Sequence, residues 1–197
     1  MVKLLDKSKD TNLELPIALA SGLGLRISEI LGLTWDNIDF YDKTITIDKI
    51  TVRYDGKVIL KNPKTDTSIR TISAPNEIIT SLKNHKLRCN ELKLKGILKK
   101  DNKLLFFDKN GLPIAQDVLS KQFSRFLESN NLEHIRFHDL RHSHVTLLIN
   151  SKIPIKVISE RVGHSNINTT LNIYSHVLKE MDKEASDKIS EVLFKYS

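Results

Sequence analysis

The chain predicts an α+β fold, mainly α, with a small three-stranded antiparallel sheet on its N-terminal side. Three observations carry that reading. Apolar residues recur at helical spacing from Glu14 to Leu33 and again through most of the chain after Pro75. Alternation rich in β-branched residues is confined to the stretch from Lys43 to Ser73. Between two of those alternating runs lies Asp55-Gly56, a strong hairpin signal.

The elements follow in order. ELPIALASGLGLRISEILGL is interrupted by Gly22 and Gly24, which predicts a helix, a glycine turn, and a second short helix starting near Arg26 and Ser28. From Lys43 the chain alternates through TITID and ITVRY, turns at Asp55-Gly56, and continues in KVILKN. A second polar turn, KTDT at 64 to 67, leads into SIRTIS, so about three strands are expected in one sheet. NEIITSLKNHKLRCNELKL restores the helical period. DNKLLFFDKNGLPIA breaks it at Gly111 and Pro113, and helices follow to the end. In VLKEMDKEASDKISEVLF, residues Val177, Met181, Ala185 and Ile189 fall four apart on one stripe, with charge on the other faces. That amphipathic helix packs either on its own domain or on a neighbouring subunit.

A chain of 197 residues is long enough for one substantial core, so residues 1–197 are expected to form one domain. With 40% hydrophobic and 28% charged residues it fits neither a disordered nor a membrane class. No apolar run approaches the roughly 20 residues of a membrane span. The opening MVKLLDKSKDTNLELP is too charged for a signal peptide, and a cytoplasmic protein is expected. The single Cys89 can form neither an internal disulfide nor a cysteine zinc site. A formal charge of +7 favours a polyanionic partner, although the basic runs KNHKLR and KLKGILKK read more readily as solvated faces than as binding patches.

Chemistry concentrates in FHDLRHSHVTLLI, residues 137 to 149. His138 and His142 are four apart and could share a helical face, which raises a metal site. The H-E-x-x-H pattern needs a glutamate where this chain has Asp139, and Arg141 would repel a cation. His142 and His144 read more simply as capping or packing residues. A phosphate site accounts for the arginine, because a guanidinium pairs with two phosphate oxygens and stays charged at any working pH. His138, three positions earlier, could then move a proton.

Four stretches, SGLGLRISEILGLTWDNID, PKTDTSIRTI, HDLRHSHVTLLI and VGHSNINTTLNIYSHV, occur in this order. Together they resemble the catalytic domain of the tyrosine recombinases, the phage and conjugative-transposon integrases, from about Leu15 to Val177. The resemblance implies that Arg26 is the first catalytic arginine, Glu29 a supporting acidic residue, and Lys64 the lysine of the hairpin. It makes His138 and Arg141 the H-x-x-R box, His164 the histidine of the L-G-H box with Val162 in place of leucine, and Tyr174 the nucleophile. On that reading Tyr174 forms a 3′-phosphotyrosyl link, so no ATP is needed. Arg26 and Arg141 neutralise the phosphate, Lys64 protonates the leaving 5′-oxygen, His138 moves the tyrosine proton, and His164 hydrogen-bonds the phosphate. No metal and no cofactor are expected. Each residue also has an ordinary reading alone: Tyr174 as packing, Arg26 on a helix surface, Lys64 in a turn, His164 as a cap after Gly163.

The resemblance further implies a homotetramer on double-stranded DNA attachment sites that integrates or excises a mobile element. Accessory DNA-bending or excision proteins and a C-terminal segment docked in trans belong to the same expectation. The ten-residue spacing of His164 and Tyr174 favours transposon-like integrases over chromosome-dimer resolvases. About 25 residues precede Arg26, too few for the family's core-binding and arm-binding domains, so a catalytic-domain fragment with weakened DNA binding is expected. A non-catalytic DNA-binding remnant, a type IB topoisomerase and a metal hydrolase are the competing readings.

Overall fold

The computed structural model describes residues 1–63, 69–163 and 175–194. Its first three helices are α1 (Val2–Ser8), α2 (Glu14–Leu23) and α3 (Ile27–Gly32). Helix α2 is the centre of the fold: Ile17, Leu19, Ala20 and Leu23 have no exposed surface. Its buried Ser21 hydroxyl donates to the Ile17 carbonyl at 2.7 Å, which satisfies a polar atom without leaving the helix. The helix stops at Gly24, whose φ of 68° suits a residue without a Cβ, and whose N–H donates to the Ala20 carbonyl. Helix α3 restarts two residues later. The Glu29 carboxylate folds back to accept the Arg26 backbone N–H at 2.9 Å, satisfying an amide that the helix start would leave open.

The β region differs from the single sheet expected of the sequence. Strands β1 (Ile38–Asp39), β2 (Thr44–Ile47) and β5 (Arg70–Ser73) form a three-stranded antiparallel sheet in the order β1-β2-β5. Among the described residues, strands β3 (Ile50–Tyr54) and β4 (Lys57–Lys61) pair only with each other, as a separate hairpin around Asp55-Gly56. Burial decides the pairing. Ile45 lies opposite Ile72, and both point into the core together with Ile47, so β2 buries its apolar face best beside β5. After β2 the chain turns at Asp48, whose carboxylate accepts from the Asn37 side chain at 2.8 Å. Strand β3 then lies against α3, with Thr51 fully buried.

Among the described residues the further α-helices are α4 (Asn76–Leu94), α5 (Gln116–Ser129), α6 (Asp139–Asn150), α7 (Ile155–Val162) and α8 (Ser175–Leu193). The mainly helical α+β reading therefore holds. Leu119, Phe123 and Leu127 recur every four residues on α5 and are buried. Phe123 meets Phe137 edge to face, 5.2 Å between ring centres. The apolar interior divides in two. A large cluster runs from Leu4 to Leu140, and a small one joins Val145 and Ile149 of α6 to Ile158 and Val162 of α7. Between Leu140 and Val145, α6 presents two buried polar residues, Arg141 and His144. The seam between the clusters is thus where the polar chemistry lies. Among the described residues no helix is long and apolar enough to cross a membrane.

Of the C-terminal stripe, Ala185 and Ile189 are exposed, while the side chains of Val177 and Met181 lie outside the described residues. Cys89 is buried, and burial pushes its thiol pKa up.

Truncating Phe123 to alanine removes a fully buried ring from the large cluster. We expect a loss of about 3–5 kcal/mol in urea-induced unfolding, with the transition remaining cooperative.

Candidate active site

The site is assembled on the carboxyl end of α7. The last carbonyls of a helix have no partners within it and carry partial negative charge. Here three consecutive ones are taken by arginines from three other elements. The Arg161 carbonyl accepts from Arg70 Nε at 2.8 Å. The Val162 carbonyl accepts from Arg141 Nη2 at 2.7 Å and from Arg26 Nη1 at 3.4 Å. The Gly163 carbonyl accepts from Arg26 Nη2 at 3.0 Å. Gly163 itself ends α7 with a φ of 67°.

Glu29 gathers two of these guanidiniums. Its Oε1 accepts from Arg26 Nη1 at 2.7 Å and from Arg70 Nη1 at 3.1 Å, and its Oε2 accepts from Arg70 Nη2 at 2.9 Å. Burial alone would raise the Glu29 pKa. The hydrogen bonds and charge of Arg70, with the charge of Arg26, outweigh it and hold the carboxyl below its ordinary value. Glu29 is therefore an anion in a buried position, paired on both oxygens. The Arg26 side chain is 35% exposed whereas those of Glu29 and Arg70 are 3% and 7% exposed, so Arg26 forms the open side of the cluster.

Arg141 is buried on α6 and ties two helix ends together, because its Nη1 donates to the Gly24 carbonyl at 2.6 Å while Nη2 holds Val162. One turn further on, His144 Nδ1 lies 2.9 Å from the Ser21 carbonyl. A carbonyl can only accept, so Nδ1 carries the proton. Nε2 is buried with no hydrogen-bond partner among the described residues. Burial drives the His144 pKa down to about 4, against the opposing bond to Ser21. The ring packs over Gly24: a Cβ there would come within 2.6 Å of His144 Cδ2 and 3.0 Å of Val162 Cγ1.

His138 stands at the start of α6, and its ring meets His142 edge-on at 4.9 Å. Partial burial, the adjoining His142 ring and the charges of Arg141 and Arg26 lower its pKa, which favours the neutral imidazole. Asp139 beside it is engaged elsewhere, accepting from the Arg136 backbone and guanidinium at 2.8 and 2.9 Å.

Of the residues singled out in the sequence, the structure brings Arg26, Glu29 and Arg141 together, with His138 close enough to feel both arginines. Lys64, His164 and Tyr174 lie outside the described residues. In sequence, Lys64 falls between β4 and β5, His164 directly follows Gly163, and Tyr174 directly precedes α8.

This arrangement can be set beside known proteins. The family model described as "Phage integrase family" matches residues 1–181. The chain belongs to that family. A "Tyrosine recombinase XerC-like" protein of Caldanaerobacter subterraneus is 33% identical over 203 residues, covering 96% of this chain and 52% of the relative. The "ICEBs1 integrase" of Bacillus subtilis is 33% identical over 170 residues, covering 86% of this chain and 46% of its own. The integrase-family chain thus spans about half the length of these relatives. Among solved structures, the Tn1549 transposon integrase in complex with transposon right end DNA superimposes with a TM-score of 0.78 at 26% identity. That match covers 97% of this chain and 63% of the other.

Sequence reasoning passed over one member of this integrase-family site, Arg70. A signal was present. In RTIS, Arg70 and Ile72 are two apart and so share a strand face, and Ile72 points into the core. An arginine on the buried face requires an anionic partner. His144 is, as expected, a packing histidine, although its Nδ1 also caps the end of α2.

Because folded His144 titrates near 4 and an unfolded histidine near 6.5, only the unfolded chain takes up that proton between these values. Its contribution to stability is therefore present above about pH 6.5 and lost as pH falls toward 4. His138 and His85, also lowered, act in the same direction. Urea midpoints measured between pH 7 and 4.5 should fall for the native chain and fall less steeply for His144→Gln.

Proposed function

We propose that this chain is the strand-cleaving and rejoining unit of a site-specific DNA recombinase, an integrase that moves a mobile element into and out of DNA. The observation that carries the reading is the convergence of Arg26 and Arg141 on one carbonyl, Val162, immediately before the Gly163-His164 pair and beside a neutral His138. Two guanidiniums fixed on a rigid helix end are what a phosphate with building negative charge requires. The names of the relatives, a tyrosine recombinase and an integrase, and the DNA complex of the Tn1549 integrase agree with that chemistry.

In the proposed step the Tyr174 oxygen attacks a backbone phosphorus and the P–O5′ bond breaks. The 3′-phosphate stays on the tyrosine and the 5′-hydroxyl departs. The tyrosine proton passes to His138, and Lys64 supplies the proton taken by the leaving oxygen. Arg26 and Arg141 stabilise the non-bridging oxygens, and His164 donates a further hydrogen bond. Glu29 keeps Arg26 in place without meeting the phosphate. Rejoining is the reverse, with a 5′-hydroxyl as nucleophile. The phosphotyrosyl bond conserves the energy of the broken linkage, and the arginines and Lys64 supply positive charge, so the reaction needs neither ATP nor a metal ion. The activity belongs in the cytoplasm, on duplex attachment sites.

For partners, we propose a homotetramer on two duplexes, with residues 1–197 as one catalytic domain and accessory bending or excision proteins choosing the direction. The apolar end of α8 supports docking in trans: Ile189, Val192, Leu193 and Phe194 are between 54% and 67% exposed.

The test of the chemistry is covalent trapping on nicked suicide duplexes in the presence of chelator. A detergent-resistant protein–DNA adduct is expected with the native chain and not with Tyr174→Phe. Arg26→Ala and Arg141→Ala should each slow adduct formation by about 100- to 1,000-fold. An adduct that survives Tyr174→Phe would sink the nucleophile assignment. Binding without any adduct would favour a non-catalytic DNA-binding protein.

Deleting residues 179–197 should leave cooperative unfolding intact while changing the complexes resolved on DNA by native gels. Identical complexes would place α8 on its own subunit.

A further inference from the structure

Arg70 has no part in the reaction described above, yet all three of its guanidinium nitrogens are engaged. It closes both oxygens of Glu29 with Nη1 and Nη2 and holds the Arg161 carbonyl with Nε. One guanidinium therefore joins β5, α3 and the carboxyl end of α7. Its side chain is 7% exposed, against 35% for Arg26 on the other side of the same carboxylate. A phosphate arriving from solvent meets Arg26, with Arg70 behind it.

A second observation comes from Gly163. A Cβ at that position would lie 2.8 Å from Arg70 Nη1 and 3.0 Å from its Cζ. The guanidinium is thus laid against the residue that leads into His164, and a side chain there would displace it. Arg70 is also the first residue of β5, so it anchors the chain where the connection carrying Lys64 rejoins the sheet.

We propose that Arg70 is a positioning residue for strand cleavage, which locks Glu29 to the end of α7 and so fixes the aim of Arg26 and the point from which His164 departs. The inference rests on the cleavage reading given above. Among the described residues the charged groups acting on Glu29 are Arg70 from β5 and Arg26 at the start of α3, while Arg161 of α7 faces Arg70, and Arg141 and His138 lie beyond Arg26. Arg161 turns its own Nη2 away to the Ser73 carbonyl, 2.9 Å distant, so it leaves the carboxylate to the other two. Without Arg70, burial would act on Glu29 with Arg26 alone opposing it among the described residues, and the carboxyl would hold its proton to higher pH.

The experiment compares the native chain with Arg70→Lys and Arg70→Gln. Four quantities are read: the single-turnover rate of adduct formation on a suicide duplex at saturating protein, duplex affinity by anisotropy, thermal unfolding, and the Glu29 carboxyl titration by carbon-13 NMR. Cleavage is expected to slow at least tenfold in both variants while duplex affinity changes less than about twofold. Lysine should not rescue, because an ammonium cannot fork across two carboxylate oxygens and a carbonyl together. The acid limb of the cleavage rate should move to higher pH in Arg70→Gln, in step with Glu29, and vanish when Glu29→Gln is added. If Arg70→Gln does not fold, Arg70→Lys carries the comparison.

Native cleavage rates in both variants would overturn the proposal, as would a loss that only tracks the unfolded fraction with an unchanged pH profile. If the native chain itself forms no adduct, the cleavage reading fails. The Glu29 titration then judges Arg70 by itself, and an unmoved titration in Arg70→Lys and Arg70→Gln refutes the lock.

Discussion

The carboxyl end of α7 is the constraint on which the site depends. A helix end leaves carbonyls without partners, and here those of residues 161, 162 and 163 are all satisfied by arginine side chains from outside the helix. The arginines come from positions 26, 70 and 141, so a single helix end collects segments that are far apart in the chain. Like charges would not gather this way unaided. The partial negative charge of the helix end and the ionised Glu29 offset their repulsion. Three guanidiniums and one carboxylate still leave a positive excess, the charge that the proposed function uses.

The same seam separates groups that carry charge from groups that carry protons. A guanidinium keeps its charge in almost any surroundings, whereas an imidazole yields to desolvation. Burial makes His144 a neutral packing ring, which spares the cluster a further cation beside Arg141 and Arg161. Partial burial, the neighbouring His142 and the charges of Arg141 and Arg26 push His138 in the same direction. The helix end sets the electrostatics, and the electrostatics set the protonation states.

Much of this was legible in the sequence, and the exceptions have physical reasons. The spacing of Arg26 from Glu29 is a local feature, since both belong to one helix start, and so is the spacing of His138 from Arg141. The Asp55-Gly56 hairpin was equally legible because its pairing is between neighbours. The division of the strands was not. The choice of β5 rather than β3 as partner for β2 depends on which pairing buries Ile45 and Ile72 together, a long-range outcome. Arg70 was missed for the same reason: its worth comes from a carboxylate 41 residues earlier and a carbonyl 91 residues later. Backbone carbonyls, which make up half of the site's framework, have no residue type to reveal them.

The residues assigned to chemistry stand in a definite relation to this framework. In the sequence Lys64 stands six residues before Arg70, and His164 directly follows Gly163. Both are therefore tethered to atoms of the arginine cluster, one through β5 and the other through the end of α7. Tyr174 is bounded differently, by its place next to α8, whose apolar end is exposed. The three arginines are held by contacts to the end of α7, whereas the end of α8 carries exposed apolar residues. On the reading proposed above, the charge that would meet a phosphate is therefore set within the arginine cluster and does not depend on what packs against α8.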